Sequence, residues 1–159
     1  MLNELIVKNI VLIKTLTIDL KPGLSVLTGE TGAGKSILLD SIGLILGNRV
    51  DFNLIRKGTS EASVIGIFKI EENHPVISSL EKYSINFNSE LIIRREIKID
   101  GKSKCFVNDT LVTRNALIEI ADFLIEVQGQ FEDRGLLNTN THLLLLDSFA
   151  NHNDLIENT

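Results

Sequence analysis

Apolar and polar positions alternate over much of the chain, and the changes of period mark its elements. Residues 2–11 alternate enough to predict a strand, and 12–20 alternate more clearly, with Ile13, Leu16, Ile18 and Leu20 apolar. Lys21-Pro22-Gly23 then reads as a turn, because proline presets φ and glycine supplies a positive φ. Residues 24–28 (LSVLT) predict a short apolar strand, and 36–47 (SILLDSIGLILG) an apolar-faced helix. Scattered charge over 47–58 suggests a loop or a short helical piece. Strand-type alternation returns over 61–70, with Val64, Ile65, Ile67, Phe68 and Ile70. It returns again over 91–99, closed by an Asp100-Gly101 turn. Between these strands, His74-Pro75 opens a short helical segment through Leu80 and Tyr83. Residues 105–108 and 111–113 predict two strands around the tight turn Asn108-Asp109-Thr110. Thr113 or Thr110 can cap a helix running through Phe123, followed by a short strand at 124–127 and a polar loop, QGQFEDRG. Thr141 caps a final helix over 141–159. Its consecutive leucines, 143–146, favour helix over the β-branched composition of a buried strand.

The chemistry concentrates between the predicted strand at 24–28 and the helix that follows. GETGAGKS, residues 29–36, matches the phosphate-binding pattern G-x-x-x-x-G-K-[ST] at every fixed position. Gly29, Gly32 and Gly34 let the backbone turn tightly and aim several N–H groups at one cluster of phosphate oxygens. The helix adds the positive end of its dipole and its unpaired N-terminal donors. Lys35 is placed to reach the β- and γ-phosphates, and the Ser36 hydroxyl to ligate Mg²⁺. Glu30, Thr31, Ala33 and Ile37 complete the contact stretch. A Gly-rich turn with a stray lysine would leave the three glycines and the GKS order unexplained. The motif therefore predicts a nucleoside triphosphate site.

Composition narrows the class. A length of 159 residues allows one domain, and 43% hydrophobic with 23% charged residues reads as soluble and globular. No apolar run approaches the roughly 18 residues needed to span a bilayer. The N-terminus lacks the layout of a secretory signal, and a cytoplasmic location is expected. The single cysteine, Cys105, excludes an internal disulfide or a cysteine-cluster metal site, and reads as a small buried hydrophobe. The net charge of −5 argues against a chain that is itself a broad DNA-binding surface. Arg94, Arg95, Lys98, Lys102 and Lys104 cluster around one hairpin, where a solvated strand face is the favoured reading over a DNA contact.

Hydrolysis needs more than a phosphate loop: a carboxylate at a strand end to hold the metal shell, and a group to orient water. The run Leu143 to Asp147 is rejected for that role, being helical in character. Gln128 and Gln130 follow an apolar strand, where an amide could reach the metal or an attacking water. His74, His142 and His152 are isolated and expected at the surface.

Taken together, the stretch 1–49, LIRKG at 54–58, IIRREI…DGKSKCFVND at 92–109 and IEVQGQFEDRGLLN…HLLLLD at 125–147 resemble the RecN family of bacterial DNA repair proteins. That family lies in the SMC-like branch of the ABC-type ATPases. The resemblance covers nearly the whole chain. It implies an α/β P-loop NTPase fold, the N-terminal lobe of an ABC-type ATPase head with a β-rich subdomain over 1–140. The helix at 141–159 would be the root of a coiled-coil arm, with Leu143, Leu146, Phe149 and Leu155 partly exposed or paired with another chain. The expected cofactors are ATP and Mg²⁺. The loop 128–132 is similar to the family's glutamine loop. There the pattern is usually His-Gly-Gln, making Gln130 the better match for the metal- and water-contacting residue and Gln128 the departure. Asn9 and Lys14 could approach the nucleotide. In this family two heads sandwich ATP, so the implied partners are DNA, a second head and a C-terminal head half that carries the signature segment and catalytic acids. Such a protein would act in double-strand break repair and recombination, cytoplasmic and nucleoid-associated, with this lobe alone hydrolysing ATP negligibly. Two other readings predict different sequences or behaviour. A small P-loop metabolite kinase calls for alternating βα units after the loop. A non-catalytic interaction module calls for indifference to loss of Lys35.

Overall fold

The computed structural model describes residues 1–29, 34–125 and 127. Six strands form one antiparallel sheet: β1 (Leu2–Ile10), β2 (Ile13–Asp19), β3 (Glu61–Lys69), β4 (Glu90–Lys98), β5 (Ser103–Val107) and β6 (Thr110–Val112), in the order β2-β1-β3-β4-β5-β6. Three helices, α1 (Lys35–Ile45), α2 (Val76–Lys82) and α3 (Arg114–Ala121), accompany it, with a single 3-10 turn at Phe52–Leu54.

Period-2 alternation decides which face of the sheet is covered. Leu5, Val7, Val64, Phe68, Leu91, Ile93, Ile97 and Val107 are all buried, and register places them on one face, with Val7 opposite Val64 and Ile93 opposite Val107. Leu44 and Ile45 of α1 and Leu117 and Ile120 of α3 pack into the same core. Burying a side chain such as Phe68 contributes roughly 1.5–3 kcal/mol. Gly66 of β3 lets α1 approach this closely: a Cβ there would stand 2.6 Å from the Ile45 Cδ1 atom.

The predicted strands at 2–11, 12–20, 61–70, 91–99, 105–108 and 111–113 correspond to β1 through β6. The Asn108-Asp109 turn carries positive φ at both residues, 43° and 63°, as a two-residue hairpin turn requires. Thr113 caps α3 by accepting a hydrogen bond from the Ala116 N–H at 3.2 Å, so Thr113 and not Thr110 is the cap.

One expected strand is not formed. Residues 24–28 run without strand pairing, leaving Leu24 93%, Val26 71% and Leu27 55% exposed. Apolar sequence alone makes no strand. A partner must offer its N–H and C=O groups, and among the described residues none lies beside this segment. The strand expected at 124–127 lies partly outside the described residues; Leu124, at its start, closes the turn after α3 with its N–H on the Ala121 carbonyl, 2.9 Å away. The final helix at 141–159 and the loop 128–132 lie outside the described residues. An uninterrupted antiparallel sheet also departs from the βα alternation that a small metabolite kinase calls for.

Candidate nucleotide site

α1 begins where the phosphate motif ends. Gly34 caps it at φ 97°, in the left-handed region that only glycine enters without strain. The first bond of the helix runs from the Leu38 N–H to the Gly34 carbonyl at 3.1 Å, and the N–H groups ahead of Leu38 have no acceptor within the helix. No acidic residue sits in the first turn. Among the described residues, the first turn thus offers no acidic side chain to offset the positive end of the helix dipole. Lys35 is half-buried, and its ammonium donates to the carbonyl of Gly29, the first residue of the motif. Ser36 is exposed and Ile37 half-buried on the same turn. Glu30, Thr31, Gly32 and Ala33 lie outside the described residues, as do Gln128 and Gln130. What is described fits a phosphate: a glycine-opened helix end, a lysine drawn across to the start of the loop, and a hydroxyl beside it. Ser36 is the one expected Mg²⁺ ligand that the described residues place there.

A cavity of about 320 Å³ opens beside Lys35. It is lined by Leu12, Ile13 and Leu16 of the β1–β2 hairpin, by Leu27 and Thr28, and by Gly34, Lys35, Ile37 and Leu38 at the start of α1. No sequence motif marks the hairpin side, because the residues are ordinary strand hydrophobes brought to the loop by folding. Of the two hairpin residues expected near a nucleotide, Asn9 commits its side-chain amide to the Glu61 carbonyl at 3.1 Å, and Lys14 is exposed.

Most of the other polar residues singled out in the sequence have structural partners, and His142 and His152 lie outside the described residues. His74 is half-buried, and its Nδ1 accepts from the N–H of Val76, the first residue of α2, at 3.2 Å. Lys98 pairs with Glu61 at 3.6 Å, Lys102 with Asp100 at 2.9 Å, and Arg94 with Glu96. Lys104 stands opposite Glu96 in register. Arg94, Lys98, Lys102 and Lys104 thus sit among carboxylates, as a solvated strand face requires, whereas Arg95 departs from that expectation: it is buried on the opposite face of β4. Among the described residues no group of three or more His, Cys, Asp or Glu could hold a metal ion. Among them, too, no helix is long and apolar enough to cross a membrane.

A family described as AAA domain matches residues 4–152. The chain belongs to this AAA domain family. Its AAA domain is similar to DNA repair protein RecN of Bacillus subtilis, 44% identical over 151 residues, covering 94% of this chain and 26% of that protein. It is likewise similar to DNA repair protein RecN of Haemophilus influenzae, 40% identical over 159 residues, covering 98% of this chain and 28% of that protein. The AAA domain chain therefore spans little more than a quarter of the length of these relatives. Among solved structures, one described for ATP-driven dimerization and DNA-stimulated activation of SMC ATPases matches with a TM-score of 0.64 and 23% identity. The match covers 93% of this chain and 98% of that one. An SMC head domain from Thermotoga maritima matches with a TM-score of 0.58 and 21% identity, over 74% of this chain and 41% of that one. The fold of this AAA domain is that of a P-loop NTPase, the N-terminal lobe of an ABC-type ATPase head.

Proposed function

We propose that this chain is the ATP-binding N-terminal lobe of an SMC-like ATPase acting in DNA double-strand break repair and recombination. The observation that carries the proposal is the open N-terminus of α1. It is capped by Gly34 in a left-handed conformation and free of acidic residues, and Lys35 reaches across to Gly29. The relatives' role in DNA repair and their identity over nearly the whole of this chain support the biological assignment. On this reading the Gly29 to Ile37 stretch cradles the triphosphate and Lys35 holds its terminal phosphates. Ser36 and Gln130 hold Mg²⁺, and Gln130 orients the attacking water. Bound Mg²⁺ supplies charge neutralisation on the phosphates. Leu12, Ile13 and Leu16 face the nucleoside side. The residues that complete hydrolysis belong to a C-terminal head half. ATP sandwiched between two heads joins them as a dimer that acts on DNA, in the cytoplasm and on the nucleoid.

The test is ATP binding and turnover with Lys35→Ala beside the unaltered chain. A charge-assisted contact is worth roughly 1.5–3 kcal/mol, so the variant is expected to bind ATP about one to two orders of magnitude more weakly. Turnover by this lobe alone is expected to be negligible. Unchanged affinity in the variant would remove the phosphate site from the reading.

A further inference from the structure

The sheet has a second face, turned away from the core, and an apolar row crosses it. Strand pairing sets Ile6 of β1 across from Ile65 of β3, Ile65 from Arg94 of β4, Arg94 from Phe106 of β5, and Phe106 from Leu111 of β6. Residues paired in this way point to the same side of a sheet, so these five form one line over five strands. Ile67 and Ile92, paired with each other, widen the line on one side. Among the described residues none of these apolar side chains packs against the core, where the buried residues of all three helices lie. Leu111 is 61% and Ile92 39% exposed. Arg94 does not interrupt the row. Its guanidinium lies over the Phe106 ring, 4.1 Å from the centroid, and pairs with Glu96, so it lies along the face rather than standing off it. A continuous apolar surface of this kind, rimmed by charge, marks a contact site.

The charges beside the row say what fits it. On β1, Glu4 and Lys8 stand at equal distances on either side of Ile6. On β3, Glu61 and Lys69 stand so about Ile65, and on β4 Glu90 and Lys98 about Arg94. Each of these strands thus carries opposite signs at matching distances from the row. A two-fold axis laid along the row turns every flank onto its opposite. Glu4 of one copy then meets Lys8 of the other, Glu61 meets Lys69, Glu90 meets Lys98, and the apolar row meets itself. Self-complementarity of this kind is what an isologous contact requires. Among the described residues Glu4, Lys8, Lys69 and Glu90 have no ion-pair partner within their own chain. Five strand spacings of about 4.8 Å by nine residues at about 3.3 Å give a face of up to roughly 600 Å² per copy, the low end of specific interfaces. We propose that the open face of the sheet is an interface between two copies of this chain, packed sheet on sheet and formed without nucleotide. It is separate from a pair of heads joined through ATP, because α1, which begins at Lys35, packs on the other face.

The test is sedimentation equilibrium on the full chain, with and without ATP, with circular dichroism on each variant. The unaltered chain is expected to dimerise without nucleotide, with a dissociation constant on the order of 10 μM, as a small interface gives. Glu4→Lys and Lys8→Glu each set like charges against one another twice per dimer, and each is expected to weaken it about tenfold or more. An equimolar mixture of the two is expected to regain the unaltered affinity, because the introduced lysine of one copy then faces the introduced glutamate of the other. Ile65→Glu places a charge in the middle of the row and should leave only monomer. If that variant does not fold, the two charge reversals and their mixture still decide. A chain that stays monomeric at several hundred micromolar would overturn the proposal: the face is then covered by another part of the chain or left to water. So would a dimer indifferent to both reversals, or a mixture no tighter than its components. Association that appears only with ATP would belong to the nucleotide-joined heads and would overturn this interface while leaving that reading in place.

Discussion

Arg95 occupies the buried face of β4 between Ile93 and Ile97, with only 3% of its surface exposed. Its Nη1 donates to the Cys105 Sγ on the neighbouring strand, and its Nε has no partner among the described residues. Among the described residues no carboxylate pairs with Arg95, and a buried cation so placed costs several kcal/mol, so the surrounding core carries this residue rather than gaining from it. The pair also sets the state of the thiol. Burial pushes Cys105 up from its ordinary value and outweighs the opposing pull of Arg95, so the group stays protonated at neutral pH. The sign for stability follows. This raised pKa favours the fold at pH below the ordinary thiol value, and that contribution is lost as pH rises through the elevated folded value. At pH 7.5 a thiol-specific reagent is expected to modify native Cys105 at least about tenfold more slowly than the urea-unfolded chain, because buried protonated thiols are inert. Equal rates would mean the thiol is reachable or ionised. The sequence marked Cys105 as a small buried hydrophobe. Nothing in it marked Arg95 as buried, since cations on a strand normally face water.

At the level of elements, α2 and α3 are tied by one carboxylate. Glu119 of α3 accepts from the Lys82 ammonium and from the Tyr83 hydroxyl, each at 2.6 Å. The hydrogen bond to Glu119 raises the Tyr83 phenol above its ordinary 10.0, and the bonds from Lys82 and then Tyr83 lower the Glu119 carboxyl below its ordinary 4.5. Glu119 thus stabilises the helix pair at pH above 4.5, and that contribution fades as pH falls through its lowered value. Tyr83 is the only tyrosine and the chain has no tryptophan, so an ultraviolet titration reads this phenol alone. Its midpoint is expected above 10.0 in the folded chain and nearer 10.0 in Glu119→Gln. Coincident curves would mean the tie is absent in solution. Elements with a strong local signal were legible in the sequence: the alternating strands, the Asn108-Asp109 turn, the Thr113 cap. The tie was not, because Tyr83 and Glu119 are 36 residues apart and no periodicity links them.

For the molecule as a whole, Met1–Ile125 form one compact unit, and residues 24–28 are its conspicuous unpaired stretch. Amides there are expected to exchange with solvent at least about a thousandfold faster than those of β3, which is paired on both edges and packed in the core. On the proposed reading, protection at 24–28 appears once the C-terminal head half is added. Protection equal to that of β3 in this chain alone would mean the segment already has a partner.

The sequence by itself determined the phosphate motif, the six strands and three helices, and the family resemblance. Each of these rests on residues close together in the chain, or on a fixed local spacing that backbone geometry enforces. Tertiary structure alone decided that 24–28 goes unpaired, that leucines and an isoleucine of the hairpin line the cavity at Lys35, and that Arg95 is buried on Cys105. Strand pairing and side-chain contact join residues distant in sequence, and alternation states which face a residue occupies without stating what the fold brings against it.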